Sequence, residues 1–371
     1  MGPRHGALEG LGMTGARVAR PDPAFWAGKR VLVTGHSGFK GAWATLWLAR
    51  MGAEVTGISL PPESDRALFA RVDMAARCRS WFCDIRDRAI LGTFVADADP
   101  QIVLHMAAQP LVRRSVADPL LTFSSNVMGT ANLLDALRGA RDLSVVLAVT
   151  SDKVYANSDR GEAFGEDAAL GGHDPYSGSK AATEHVAHSF DMTYFRPRGV
   201  RLATARAGNV IGGGDAAEDR IIPDCVRALE AGTPLVLRHP EAVRPWQHVL
   251  DCLSGYLLYA EHLAGAGVGA APRALNFGPE ASDMLPVGEV VELFYAGYGT
   301  RADVRVERPE RSIEMKTLML DPAEALRILG WRCSLGQRDA VVWTADWYRR
   351  VAETGDALAA TLDQIDAFTA G

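Results

Sequence analysis

The chain has 371 residues, of which 48% are hydrophobic and 23% charged, and its formal net charge is −6. That length suits one large or two medium domains, and the composition is that of a soluble globular protein. Lys and Arg are scattered rather than grouped, which excludes a nucleic-acid footprint, and no apolar run approaches the roughly 18 residues needed to span a membrane.

Residues 1–24 mix Gly, Pro, Arg and Glu without the apolar region of a secretory signal. They read as a flexible extension, with the fold starting near Phe25. From residue 29 the pattern is strand, glycine turn and helix, repeated. KRVLVTG is a short apolar run, GAWATLWLARMGA has helical spacing, and AEVTGISL is a second strand. Further strands are predicted at SWFCDI, PQIVLHMAA, LSVVLAVTS and VRLATARAG, with helices at PLLTFSSNVMGTANLLDALRGA and YSGSKAATEHVAHSF. Near-continuous apolar strands alternating with helices predict a parallel sheet covered on both faces. After about residue 210 the rhythm loosens. A helix is expected from about Ile222, and a smaller C-terminal portion is expected to close over the large nucleotide-binding part.

Five cysteines, at 78, 83, 225, 252 and 333, form no Cys-x-x-Cys pair. No disulfide framework and no metal site are expected, and a reducing cytoplasm is the simplest setting. Cys83 reads as a small core residue, and Trp43 and Trp47, four apart on the first helix, as packing.

TGHSGFKG places glycines at Gly35, Gly38 and Gly41, after the first strand and at the start of a helix. In that context they permit a tight turn and bring a pyrophosphate close to backbone N–H groups at a helix N-terminus. Lys40 precedes Gly41, the reverse of the order a P-loop needs. The second strand lacks a terminal acid: Glu63 and Asp65 come later, and Arg66 could suit a 2′-phosphate. Local residues therefore leave NAD against NADP open. Asp84, after the third strand, is placed to receive an adenine amino group or to be a solvated carboxylate.

In YSGSK, Tyr176 and Lys180 are four apart and share a helix face, with Asp174 as N-cap and Pro175 as first helical residue. An ammonium beside the phenol is expected to lower its pKa toward neutrality, so that Tyr176 can take the proton of a sugar hydroxyl while a nicotinamide takes the hydride.

TGHSGFKG, CDIRD, HMAAQ, NVMGT, TSDKVY, YSGSK, RAGNVIGGGD and RPWQHV, in this order, resemble the extended short-chain dehydrogenase/reductases over roughly residues 25–332. More narrowly they resemble the CDP-glucose 4,6-dehydratases. The resemblance implies an α/β fold: a Rossmann-type doubly wound parallel sheet with a smaller C-terminal substrate-binding domain. It divides the chain into the extension 1–24, an NAD-binding domain 25–208 and a mainly nucleotide-sugar-binding domain 209–371, some segments of which return to the first. It implies NAD held through the cycle by Gly35, Ser37, Gly38, Phe39, Lys40, Gly41, Asp84, Ile85, Ala107, Ala108, Asn126, Tyr176 and Lys180.

The chemistry implied is oxidation of C4 of the hexose, loss of water across C5–C6 and return of the hydride to C6. Ser151 would hydrogen-bond the C4 oxygen. Tyr176 would be the base for the C4 hydroxyl, with Lys180 setting its pKa and holding the nicotinamide ribose. Asp152, protonated through a raised pKa, would donate to the departing C6 hydroxyl. Lys153 stands where dTDP-glucose dehydratases carry a glutamate base for C5. It acts either as a neutral base, the favoured reading, or as a cation stabilising the C4 enolate. The inverting UDP-N-acetylglucosamine dehydratases also carry Asp-Lys, but closer to their tyrosine than the separation of Asp152 from Tyr176.

The substrate, CDP-glucose by resemblance, would contact Gln109, Arg113, Asn209, Arg220 and Arg244, the arginines through their forked donors. Trp246 reads as core. A homodimer is implied, pairing helices at about 118–138 and 176–191 of each subunit in a four-helix interface. A 4-epimerase or 4-reductase would need Ser151, Tyr176 and Lys180 but neither Asp152 nor Lys153. A non-enzymatic sensor would need none of them.

Overall fold

The computed structural model describes residues 18–157, 159, 161, 163–267, 271–280, 284–308 and 318–371. Seven parallel strands form the central sheet: β1 (Arg30–Thr34), β2 (Glu54–Ser59), β3 (Arg79–Phe82), β4 (Ile102–His105), β5 (Val145–Val149), β6 (Arg201–Ala207) and, after the short strands β7 (Asn209–Ile211) and β8 (Trp246–His248), β9 (Ala274–Phe277). Their order is β9-β6-β5-β4-β1-β2-β3. All six strands expected from the sequence are present. The seventh, β9, belongs to the C-terminal portion yet pairs in parallel with β6, Phe277 opposite Ala207. It lies beyond residue 210, where the sequence no longer alternates strand and helix and so does not mark it.

The sheet is buried on both faces, because all five residues of β5 are buried and β1 is buried from Val31 onward. Alternate residues feed opposite cores: Val31 and Val33 join one apolar cluster and Leu32 the other. The first face carries α1 (Phe39–Arg50), α6 (Val249–Gly265), α7 (Val287–Tyr298), α8 (Gln337–Thr354) and α9 (Ala357–Ala370). The second carries α2 (Arg88–Ala98), α3 (Gly129–Leu137) and α4 (Pro175–Phe190). Segment 119–128 leads into α3 through a π-helical turn at Ser124–Met128. Another helix, α5 (Ile221–Ala231), follows the glycine-rich 212–214 loop.

Trp43 and Trp47 are fully buried packing residues, as expected, and Trp43 Nε1 donates to Gly213 O at 2.8 Å. Trp246 and Cys83 are also core, and burial pushes the Cys83 thiol up to about 11. The expected flexible extension lies mainly outside the described residues. Its last part, residues 18–24, corrects the expectation. Val18 is buried, Arg20 hydrogen-bonds Phe368 O and Ser334, and Pro23–Trp26 is a helical turn capped by Asp22.

Strand order reverses between β1 and β4, so a crevice opens at their carboxyl ends. His105 braces it, with Nδ1 2.6 Å from Thr34 Oγ1 and Nε2 2.9 Å from Thr130 Oγ1 on α3.

Candidate active site

The glycine turn closes the crevice. Gly35 has φ +78°, and a Cβ there would lie 2.7 Å from Ala107 N. A Cβ on Gly41 would land on the Gly35 carbonyl. Only glycine fits either place. Gly38 caps α1 without a side-chain hydrogen bond. The first-turn N–H groups of α1 thus offer a cradle for a dinucleotide pyrophosphate. Ser37 Oγ donates to Leu60 O at 2.7 Å, tying the turn to the end of β2, while Phe39 packs near Gly212.

Lys40 runs from this turn to α6. Its Nζ lies 3.3 Å from Tyr256 OH on α6. Burial lowers its pKa; Arg220 adds to that shift, and Cys252 and Asp152 oppose it.

Opposite the turn, β5 ends in Thr150-Ser151 and a single 3₁₀ turn, Asp152–Val154. Ser151 accepts from Lys153 N and donates to Asp152 Oδ1 at 2.8 Å. Asp152 is buried, and burial raises its pKa against the opposing Lys153 charge. The direction of the shift is the one expected from the sequence. Lys153 itself is half-buried.

Asp174 caps α4, accepting from Ser177 N at 3.0 Å, with Pro175 in its first turn as the sequence predicts. Tyr176 and Lys180 are both buried one turn apart on this helix. Lys180 Nζ donates to Val149 O at 3.1 Å, and burial lowers its pKa to about 7, assisted by Lys40. The expectation for Tyr176 is corrected. Burial pushes its phenol up to about 12; the Ser151 side chain and the Arg220 charge work the other way. Within the polypeptide, taking an apolar setting costs the phenolate more than neighbouring charge returns.

Arg220 precedes α5 and is held by Asp215 at 3.0 Å, the chief cause of its raised pKa. Its charge also acts on Tyr176 and Lys40, so one charge cluster holds Lys40, Asp152, Tyr176, Lys180 and Arg220. Asn209 is half-buried at the start of β7, opposite Trp246. Arg244 pairs across a two-stranded ribbon with Leu285.

Several sequence-predicted site residues have side chains already engaged elsewhere. Gln109 donates to Leu111 O and Thr122 Oγ1 and accepts from Leu111 N, so it braces its own loop instead of presenting an amide to a sugar. Asn126 accepts from Gln109 N and donates to Gln109 O and Ser179 Oγ. Arg113 is exposed and paired with Asp219 at 2.8 Å. Asp84 is clasped by Arg86 at 2.6 Å, which holds its carboxyl below the usual range. Ile85 is buried against the Cα of Gly129, and Ala107 N donates to Thr34 Oγ1 at 3.2 Å, so both act by packing and backbone; Ala108 follows in the half-buried loop.

Sequence reasoning missed Tyr256 and Gly208. Tyr256 lies near both Tyr176 and Asp152 on α6, a helix without motif content, and no sequence signal marks it. Gly208 lies against Asp152: a methyl built there would sit 3.2 Å from Asp152 Oδ2. It also lines a cleft with Pro245, Pro279, Met284, Met319 and Leu320.

Comparison with known proteins fits this geometry. The model of the NAD dependent epimerase/dehydratase family matches residues 31–278. A CDP-glucose 4,6-dehydratase of Salmonella typhimurium is 41% identical over 333 residues, covering 88% of this chain and 92% of that protein. A solved dTDP-glucose 4,6-dehydratase of Streptomyces venezuelae with NAD bound has a TM-score of 0.73 at 29% identity, covering 86% of this chain and 97% of that one. A UDP-glucose 4-epimerase of Brucella ovis in complex with NAD gives 0.72 at 26% identity, covering 86% and 98%. The glycine-closed crevice, the Tyr176–Lys180 helix and these matches lead to one conclusion: the chain belongs to the NAD dependent epimerase/dehydratase family.

Proposed function

We propose that this chain is a lyase that converts CDP-D-glucose to CDP-4-dehydro-6-deoxy-D-glucose and water, a step of deoxysugar biosynthesis. The observation that carries the reading is Asp152: a buried carboxyl with a raised pKa, held by Ser151 within the charge cluster of Tyr176 and Lys180. Exchange at C4 alone needs no such acid, whereas expulsion of the C6 hydroxyl does.

Bound NAD supplies the acceptor for the C4 hydride, its donor back to C6, and a positive ring charge that favours the ionised phenol of Tyr176. The cradle at Gly35–Gly41 fits its pyrophosphate, and Arg66, which could meet a 2′-phosphate, is paired with Glu230 at 2.7 Å. Tyr176 takes the proton of the C4 hydroxyl, helped toward ionisation by Ser151 and Arg220. The C4 ketone makes the C5 proton acidic. Lys153 then acts on C5, as base in the favoured reading or as a charge that stabilises the enolate. Asp152 gives its proton to the C6 oxygen, and water leaves. Arg220, Asn209 and Arg244 are the candidates for the nucleotide diphosphate, the arginines with forked donors.

We further propose a homodimer. Val116, Leu120, Phe123 and Met128 are exposed apolar side chains within thirteen residues of chain, and segment 119–128 packs beside α4. A second copy pairing these helices would cover them. A cytoplasmic setting fits the five free cysteines. Among the described residues, no helix is long and apolar enough to cross a membrane.

The test incubates the purified protein with CDP-glucose in D2O without added cofactor, with the product read by NMR and mass spectrometry. A 4-keto-6-deoxy product with one deuterium at C5 is expected. Conversion of UDP- or dTDP-glucose instead would overturn the choice of nucleotide, and absence of water loss from any nucleotide sugar would leave an epimerase or reductase.

A further inference from the structure

Thr150 and Tyr155 stand on either side of the Ser151–Val154 turn, and both are tied to one buried ion pair. Glu184 lies one helical turn beyond Lys180 on α4, so Tyr176, Lys180 and Glu184 share a face at intervals of four. Its carboxylate accepts from Thr150 Oγ1 at 2.6 Å, Thr204 Oγ1 at 2.7 Å, Arg206 Nε at 3.0 Å and Arg206 Nη2 at 2.9 Å. Arg206 Nη1 then donates to Tyr155 OH at 2.8 Å, and Tyr155 OH donates to Asn276 Oδ1 on β9 at 2.7 Å. Glu184, Arg206, Thr150, Tyr155 and Asn276 are all buried.

A buried pair stripped of water is weak support for stability alone, since its desolvation offsets much of its attraction. What this pair has is direction. Glu184, on the helix that carries Tyr176 and Lys180, holds Thr150 just before the turn, and its partner Arg206 holds Tyr155 just after it.

We propose that Glu184, Arg206 and Tyr155 form a positioning clamp that sets the separation between the oxidation pair, Tyr176 and Lys180, and the dehydration pair, Asp152 and Lys153. The clamp rests on the dehydratase reading of the site, and it gives that reading a geometric requirement: the two pairs must address C4 and C5–C6 of one sugar without readjustment between steps. None of the three touches substrate; they act through the turn and the helix.

The sharpest variant is Tyr155→Phe. It keeps the ring stacked on Phe164, with centroids 5.0 Å apart, and removes only the hydroxyl that joins Arg206 to Asn276. Wild-type protein turning CDP-glucose into the 4-keto-6-deoxy product is the control; its failure would sink the dehydratase reading before the clamp is tested. With the control positive, stopped-flow measurement of reduced dinucleotide follows C4 oxidation, and quenched-flow analysis follows water loss. The expected result for Tyr155→Phe is water loss slowed about tenfold or more with the oxidation rate within about twofold, the split that a displaced acid–base turn gives. Glu184→Gln, which keeps the hydrogen-bonding shape, should show the same split, and Arg206→Lys a larger one because a lysine cannot hold both carboxylate oxygens. Equal loss of both steps at unchanged KM, or no loss in Tyr155→Phe, would overturn the clamp. A lowered melting temperature with unchanged rates would do the same, leaving the network a purely structural pair.

Discussion

Ser151 Oγ donates to one oxygen of Asp152 at 2.8 Å, while the other, Oδ2, faces the bare Cα of Gly208. The second oxygen thus lies against Gly208, a residue that itself lines the cleft with Pro245.

Asp152→Asn keeps shape and the Ser151 contact but has no proton to give. Water loss should fall by about 10² to 10⁴ while C4 oxidation persists. Lys153→Ala should also oxidise C4 without dehydrating. Reduced dinucleotide accumulating on mixing with CDP-glucose checks both; full turnover by Lys153→Ala would remove Lys153 from the mechanism.

Gly41→Ala sets a methyl against the Gly35 carbonyl and must open the turn. Dinucleotide affinity should drop by about tenfold or more, an estimate for losing backbone contacts to an ionised phosphate. Fluorescence titration with NAD measures it, and an unchanged affinity would show that the cradle lies elsewhere.

Leu120 is 81% exposed, the largest apolar exposure near the proposed dimer face. Leu120→Glu would bury a charge in a paired interface, and sedimentation equilibrium should show a shift toward monomer. A dimer that survives the change puts the contact on another face.

Glu261 accepts from Asp22 N and Trp26 Nε1, and burial pushes its pKa up to about 7. A carboxyl whose pKa is higher in the folded chain binds more protons there. Its stabilising effect is present below its ordinary value and is lost as pH rises through about 7. Asp251 behaves alike, also raised to about 7 by burial. The melting temperature of Glu261→Gln, relative to wild type, should therefore rise between about pH 5 and about pH 8. A pH-independent difference would contradict the assignment.

Much of this was legible beforehand, for identifiable reasons. The buried strands β1, β4 and β5 announce themselves as unbroken apolar runs, and Gly35 and Gly41 sit where backbone approach forbids a side chain. Asp174 and Pro175 mark the start of α4 by capping chemistry that is local in sequence. Tertiary effects were not legible. The pKa of Tyr176 is set by burial, which no spacing of four residues reveals. The Asn126 amide holds the backbone of Gln109, and the Gln109 amide holds Leu111 and Thr122, contacts across a loop that the motifs do not reveal. Tyr256 enters the cluster from a helix that carries none of the site motifs.

The indole of Trp43 donates to Gly213 O, and the ring of Trp347 fills the space a side chain on Gly213 would need. The first of these contacts crosses position 208, where a division between cofactor and substrate portions would be drawn, and the pairing of β9 with β6 crosses it again to complete the sheet. The line is thus a division of labour rather than a seam. A chain cut there would leave β6 with a bare edge and α1 with an exposed indole. Recombining substrate halves between relatives cannot treat the C-terminal part as a detachable module: its β9 would have to match the β6 edge, and its Gly213 the indole of Trp43, of the other half.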